Sequence, residues 1–190
     1  MTPDNLAGIP YLETLEFESN KIKNAVLKRC RKLLAQNFFS GEKLFLGNYY
    51  RYEIKKGICQ PLEVLHIGGP LGYGVFARKA IAKGAFICEV TGVLRKRSKK
   101  IAKTNDYLIK YPAAESGDEE YVIDTREKGN YARFVNHSFE PNCEIRSVFC
   151  EDLVHVLIFA LKEILQDEQL TCNYGEEYWQ QMAKKTALPQ

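Results

Sequence analysis

The sequence predicts an α+β protein, mostly β, with a helical segment in front. Three observations carry this. From residue 61 onward, short runs rich in β-branched and aromatic residues recur between Gly, Pro and Asn. A stretch near the N-terminus places apolar residues at helical spacing instead. The two patterns follow one another and do not alternate, which argues against a doubly wound sheet.

Taken in chain order, residues 1–17 show no clear period. From Ser19, the residues Ile22, Val26, Cys30, Leu33, Leu34 and Phe38 recur at helical spacing, with Lys21, Lys23, Lys28, Arg29, Arg31 and Lys32 between them. This spacing predicts an amphipathic helix capped by Ser19 and stopped near Gly41. Its basic face is read as a solvated outer face, with phosphate binding as the alternative. The helix either docks on its own domain or joins two chains into a homodimer. Residues 1–60 are therefore expected as a helical N-terminal segment. Strands follow in LEVLHIGG, GVFARKAI, AFICEVTGVL, YLIKY and YVIDT, and a long pair or hairpin in SVFCEDLVHVLIFALKEI. The basic run Arg95–Lys103 and the acidic run Glu115–Glu120 are expected as exposed loops. No repeat or low-complexity tract interrupts the pattern.

With 190 residues, 45% of them hydrophobic, the chain can bury the core of one domain with a small appendage. A net charge of +3 does not by itself argue for nucleic acid. No basic region followed by an apolar run opens the chain, and no stretch nears the roughly 18 apolar residues of a membrane span. A soluble protein is expected. Cys30, Cys59, Cys88, Cys143, Cys150 and Cys172 are scattered, without a C-x-C or C-x-x-C pair. They are read as reduced, mostly buried thiols in an intracellular protein, and no metal site is expected.

The segment RFVNHSFEPNC, residues 133–143, gathers Arg133, Asn136, His137, Ser138 and Cys143. Alone it fits a metal site, a hydrolase site or a cofactor pocket. No nucleophile elbow surrounds Ser138. Upstream, Gly72 and Gly74 bracket Tyr73 just before a strand, where glycine lets backbone approach a ligand closely. The third glycine and following helix of a dinucleotide fingerprint are missing.

In this order, Gly72–Gly74, Glu89–Gly92, Tyr107, Arg133–Asn142 and Glu168–Gly175 resemble the SET domain, the protein lysine methyltransferase family, over roughly residues 61–179. The resemblance implies a SET domain at 61–176, built of short curved sheets with a C-terminal pseudoknot-like threading, and a lid or tail at 177–190. It implies S-adenosyl-L-methionine as cofactor and a protein substrate with an exposed lysine, a histone or histone-like tail in chromatin being the candidate. Leu71, Gly72, Tyr73, Tyr107, Arg133, Phe134, Asn136 and His137 are implied as cofactor-binding residues. Tyr174 and Tyr107 match the catalytic tyrosines. Tyr121, Cys172 and Tyr174 fall on the substrate channel.

Where the chain departs from the family, it lacks flanking cysteine clusters. Cys143 follows "PN", where some relatives place a zinc ligand, but its partners are absent. The tail is expected to close the channel in their place, Tyr178 on the substrate side and Trp179 on the cofactor side, with plain packing as the alternative. Cys172, two residues before Tyr174, stands where relatives carry Phe or Tyr, and its small side chain is expected to admit more than one methylation. Lys184 and Lys185 raise self-methylation against an ordinary frayed end. No membrane or direct nucleic-acid role is expected, since Arg95–Lys103 has no interleaved aromatics. Non-histone substrates, a catalytically silent peptide-binding scaffold, and delivery to a host nucleus if the source is an intracellular bacterium stay open.

Overall fold

The computed structural model describes residues 3–69, 72–113, 120–176 and 178–179. The basic helix is α1, Asn20–Ala35, and Ser19 caps it as expected, its hydroxyl accepting from Ile22 N at 3.3 Å. Val26, Cys30 and Leu33 form its buried stripe. Tyr111 secures it to the body: the phenol oxygen accepts from Val154 N at 3.0 Å and lies 4.0 Å from Cys30 Sγ.

The helix stops earlier than Gly41. Asn37 turns into the left-handed region (φ 53°), a conformation asparagine tolerates better than most residues. Ser40 then caps a second helix, α2, Gly41–Tyr49, and α3, Arg51–Lys56, follows across Tyr50. α3 ends at Gly57 (φ 57°), where a Cβ would stand 2.5 Å from Glu13 O. α2 presses on the sheet through Gly47, whose Cβ would overlap the carbonyl oxygen of Phe149. Gly47→Ala is therefore expected to cost about 1–3 kcal/mol through a forced backbone shift, read as a lower urea midpoint. An unchanged midpoint would show that α2 can lift off without penalty.

Residues 5–17 are not helical. They give β1 (Asn5–Leu6), β2 (Ile9–Pro10) and β3 (Glu16–Phe17), and β3 pairs in parallel with β7 (Val93–Lys96). These two-residue strands are too short to show a period in the sequence. The N-terminal stretch is thus woven into the body, with Leu12 N also donating to Gly129 O at 2.9 Å.

The expected strands appear as β4 (Leu62–Gly68), β5 (Gly72–Ala77), β6 (Phe86–Glu89), β7, β8 (Leu108–Tyr111) and β9 (Tyr121–Asp124). The break between β6 and β7 falls at Gly92, where a Cβ would sit 2.7 Å from Asp124 O. The basic run expected as a loop is instead the end of β7 plus a short helix, α4, Lys99–Thr104, capped by Ser98. Glu120 is described, and the remainder of the acidic run lies outside the described residues apart from it. The long hairpin is real: β11 (Cys143–Cys150) pairs antiparallel with β12 (Leu153–Ala160). Its two turn residues, Glu151 and Asp152, both have positive φ (48° and 68°), which matches strand twist but strains non-glycine residues. Cations hold them there: Arg51 and Lys55 on Glu151, Arg31 on Asp152.

Four sheets result among the described residues. β1–β2 and β4–β5 are two-stranded, β3–β7–β9–β8 is four-stranded, and a five-stranded sheet runs β10–β13–β11–β12–β6. Here β10 is Asn136–His137 and β13 is Thr171–Cys172. β13 pairs in parallel with both β10 and β11, so the closing strand is inserted between two strands that are consecutive in the chain. That insertion is the pseudoknot-like threading, and it sets the site.

Candidate active site at the threaded crossing

The crossing is clamped by Asn142, which is 3% exposed. Its amide nitrogen donates to Glu168 Oε1 (2.9 Å) and to Gln169 O (2.8 Å), while its amide oxygen accepts from Thr171 N (2.8 Å). Glu168 in turn accepts from Leu165 N at 2.9 Å, and these donors hold its carboxyl below the usual carboxylate range. The same segment runs along β5: Ala77 N donates to Glu168 O and Leu170 N to Val75 O. Gly74 makes room for it, since a Cβ there would meet Gln169 Nε2 at 2.5 Å.

The crossing delivers Tyr174. Its backbone N donates to His137 Nδ1 at 3.2 Å and its hydroxyl donates to Val135 O at 2.9 Å. The residue as a whole is 37% exposed, but the hydroxyl end is turned inward. Burial, with smaller contributions from Cys172, Tyr178 and Tyr107, pushes the phenol above its ordinary value. At neutral pH it is therefore a neutral hydroxyl and not a phenolate base. Those same neighbours define one small space. Tyr178 stands edge-on to Tyr174 with ring centroids 4.8 Å apart, and the nearby Asp106 and Tyr107 add to burial in raising its own phenol. Cys172 is 3% exposed and burial pushes its thiol up to about 12.

Tyr107 is positioned by the next strand, its carbonyl accepting from Thr125 N at 3.0 Å. The Arg133 guanidinium lies 4.1 Å above its ring, within cation–π range, and is fixed by donating Nε to Thr125 O at 2.7 Å. Arg133 and Phe134 sit on a single 3-10 turn, Tyr131–Phe134. Asn130 caps that turn, accepting from Ala132 N at 3.1 Å and donating to Glu89 O at 2.6 Å. The Phe134 ring is 6.2 Å from that of Tyr73, and Asn136 Nδ2 donates to Tyr73 O at 3.0 Å. Gly72 opens β5 with φ 65°, which a side chain would strain.

His137 accepts at Nδ1, so its proton is assigned to Nε2. That nitrogen is buried without a hydrogen-bond partner. Phe139 and Trp179 pack edge-on against the imidazole at 4.6 and 4.8 Å. An orphaned donor beside a glycine-opened strand and three aromatic rings fits a bound group with an acceptor and an aromatic face. The residues present thus suit a nucleoside-type cofactor.

The structure brings together Tyr73, Phe134 and Asn136 on one side, and Tyr107, Cys172, Tyr174 and Tyr178 on the other, with Arg133 and His137 between and Trp179 against the imidazole. Tyr121 is elsewhere. It is 3% exposed in β9, and Arg29 of α1 lies 5.0 Å over its ring. Leu71, Lys184 and Lys185 lie outside the described residues. Cys143, 1% exposed, donates its thiol to Asn142 Oδ1 at 3.4 Å. Among the described residues, no group of three or more His, Cys, Asp or Glu is placed to hold a metal ion, nor is any helix long and apolar enough to cross a membrane. Sequence reasoning assigned no role to Asn142, Glu168, Asn130 or Phe139. Asn142 and Glu168 stand inside the quoted motifs, but 26 positions apart, and only the fold pairs them.

An α+β domain whose closing strand is threaded next to an Asn-His pair and a desolvated tyrosine defines a narrow class. The SET domain matches residues 72–175, and the chain belongs to that family. It is 34% identical over 150 residues to the variant-silencing SET domain-containing protein of Plasmodium falciparum, covering 72% of this chain and 6% of that protein. It is 35% identical over 111 residues to human histone-lysine N-methyltransferase 2B (54% of this chain, 4% of that protein). With Drosophila melanogaster histone-lysine N-methyltransferase Su(var)3-9 it shares 30% identity over 132 residues (64% and 21%). The chain therefore spans a small part of these relatives' length.

Proposed function

We propose that the chain is an S-adenosyl-L-methionine-dependent protein lysine N-methyltransferase acting on a histone or histone-like tail. The observation that carries this is the inward, neutral Tyr174 hydroxyl, surrounded by Tyr107, Tyr178 and Cys172 at the threaded crossing. The substrate class is supported by the names of the relatives, several of which are histone-lysine N-methyltransferases. The setting that follows is intracellular.

When bound, the cofactor supplies a methyl group on a sulfonium sulfur for in-line displacement by a lysine amine. The residues of this chain do the rest. Tyr73, Phe134, Asn136 and His137 would hold the cofactor, with Trp179 against the imidazole. Burial between Tyr107, Tyr174 and Tyr178 strips water from a lysine ammonium, whose free pKa is about 10.4, and that desolvation favours the neutral nucleophile. Tyr174 donates to Val135 O, which leaves its oxygen lone pairs to accept from the amine and aim it. Positioning of this kind can supply up to roughly 7–11 kcal/mol. A strong base is not required, and neither raised phenol would supply one.

The test is methyl transfer from labelled S-adenosyl-L-methionine to core histones and to a bacterial histone-like protein. Label on a lysine supports the reading. Cofactor binding without transfer to either would overturn the substrate class, and absence of cofactor binding would overturn the enzyme.

Cys172 is buried and small, and close enough to Tyr174 to help raise its phenol. Peptide products are expected to include di- or trimethyl-lysine, and Cys172→Tyr is expected to shift them toward monomethyl by filling the channel. Mass spectrometry reads both. Strictly monomethyl product from the native chain would remove the role.

A further inference from the structure

The helices outside the site carry the charge asymmetry of the chain. Residues 20–56 hold ten Lys and Arg against two Glu, while the remainder of the sequence is net acidic. α2 and α3 run almost continuously, Tyr50 serving as C-cap of one and N-cap of the other. Their inner side is occupied: Gly47 meets Phe149, and Tyr50 stacks on Phe86 with Ile54 in the same cluster.

Their outer side carries Phe45, Tyr49 and Tyr52, at i, i+4 and i+7, exposed to 65%, 66% and 64%. The Phe45 and Tyr49 rings are 5.9 Å apart and stacked at 26°. Lys56, exposed, continues this stripe one turn further. Arg51 and Lys55 flank it and share one carboxylate, Glu151, at 2.7 and 2.6 Å, so one positive charge is left over. The neighbouring turn residue Asp152 takes Arg31 of α1. The β11–β12 turn thereby brings the end of α1, a helix with six Lys and Arg and no acidic residue, beside the end of α3.

We propose that this face binds single-stranded nucleic acid, with Phe45, Tyr49 and Tyr52 stacking on bases and Arg51, Lys55, Lys56 and the lysines of α1 following the phosphates. Exposed aromatics set among cations are the two elements such binding uses. Other occupants fit less well. A second copy docked about a two-fold axis would bring these cations against themselves. A lysine-rich tail would be repelled. A lipid surface calls for a wide apolar face, and this is a single stripe with two phenol hydroxyls. The expectation of no nucleic-acid role rested on Arg95–Lys103, which has no interleaved aromatics; α2 and α3 have them. The inference stands apart from the methyl-transfer reading and uses no residue of that site.

The test is fluorescence anisotropy of the full chain with labelled 20-nucleotide single strands, RNA and DNA in separate arms, against a duplex of the same sequence. Single strands are expected to bind more tightly than duplex, with log Kd rising against log salt at a slope of about 2 or more. Tyr49→Ala and Tyr52→Ala are expected to weaken binding about tenfold each, and Lys55→Glu with Lys56→Glu to flatten the salt slope. Methylation of a peptide is expected to stay unchanged in all four, because these side chains are exposed and none is among the residues placed at the crossing. Circular dichroism melts of the exposed tyrosine variants would check folding. No binding at low salt, equal binding by the aromatic variants, a preference for duplex, or capture by anionic phosphatidylserine vesicles in place of oligonucleotide would each overturn the proposal. So would an aromatic-dependent dimer in sedimentation.

Discussion

Tyr174→Phe is expected to lower turnover roughly a hundredfold while the chain stays folded. The ring, its edge contact with Tyr178 and the backbone bond to His137 all survive the change. What goes is the hydroxyl, and with it the bond to Val135 O. Losing that bond leaves the carbonyl of Val135, a residue 4% exposed, without its donor and costs about 1–3 kcal/mol of stability. Losing the group that aims the amine acts separately on the rate, because a misplacement of about 1 Å can cost a hundredfold. Turnover on a histone peptide and a thermal melt of the same sample separate the two effects. A variant with near-native turnover would dismiss Tyr174 from the chemistry. A variant that loses turnover only because it melts below the assay temperature would make it a structural residue.

Asn142→Ala is expected to be the most damaging single change in the domain that touches no proposed ligand. It removes a buried group that joins Glu168, Gln169 and Thr171. Gln169 O and Thr171 N would be left unsatisfied where water does not reach easily. Each such orphan costs about 1–3 kcal/mol, so a total of about 2–6 kcal/mol follows. Against a typical domain stability of about 5–15 kcal/mol, that takes a large share. The urea midpoint is the readout, and a shift below the equivalent of 1 kcal/mol would mean that the threaded strand is held mainly by packing. Asn142→Asp keeps the acceptor for Thr171 but puts a carboxylate against Glu168 and Gln169 O, and is expected to fall almost as far.

The long strands and the basic helix were legible because each is several residues of one period. Of the apolar series Ile22, Val26, Cys30, Leu33, Leu34 and Phe38, the structure buries Val26, Cys30 and Leu33 and leaves Leu34 and Phe38 exposed. The strands of residues 5–17 were not legible, because two residues cannot show alternation. Their pairing with Val93 and Leu94 is a tertiary fact. The helix stop at Asn37 was missed in favour of Gly41, although asparagine also takes the left-handed turn. Within the site, motif spacing led to Tyr73, Tyr107, Arg133, Asn136, His137, Cys172 and Tyr174, which the fold gathers. Tyr121 illustrates the limit of motif matching: the resemblance gives it a place on the substrate channel, while in the fold it is 3% exposed in a strand buried on both faces, with Arg29 of α1 over its ring. Asn142 and Phe139 went without a role because one acts only on a segment far along the chain and the other on Trp179, its ring 6.3 Å away.

The insertion of β13 between β10 and β11 has a kinetic meaning. The β11–β12 hairpin is local, closed by a two-residue turn, and can form early. The Tyr174–His137 bond spans 37 positions and the Asn136–Tyr73 bond 63. Non-local pairings of this sort close last and slow the search, since loop-closure entropy is lost before the contacts return it. The proposed site is thus expected to form last on refolding and to be lost first in mild denaturant, with ligand binding fading in urea before the far-ultraviolet signal of the sheets.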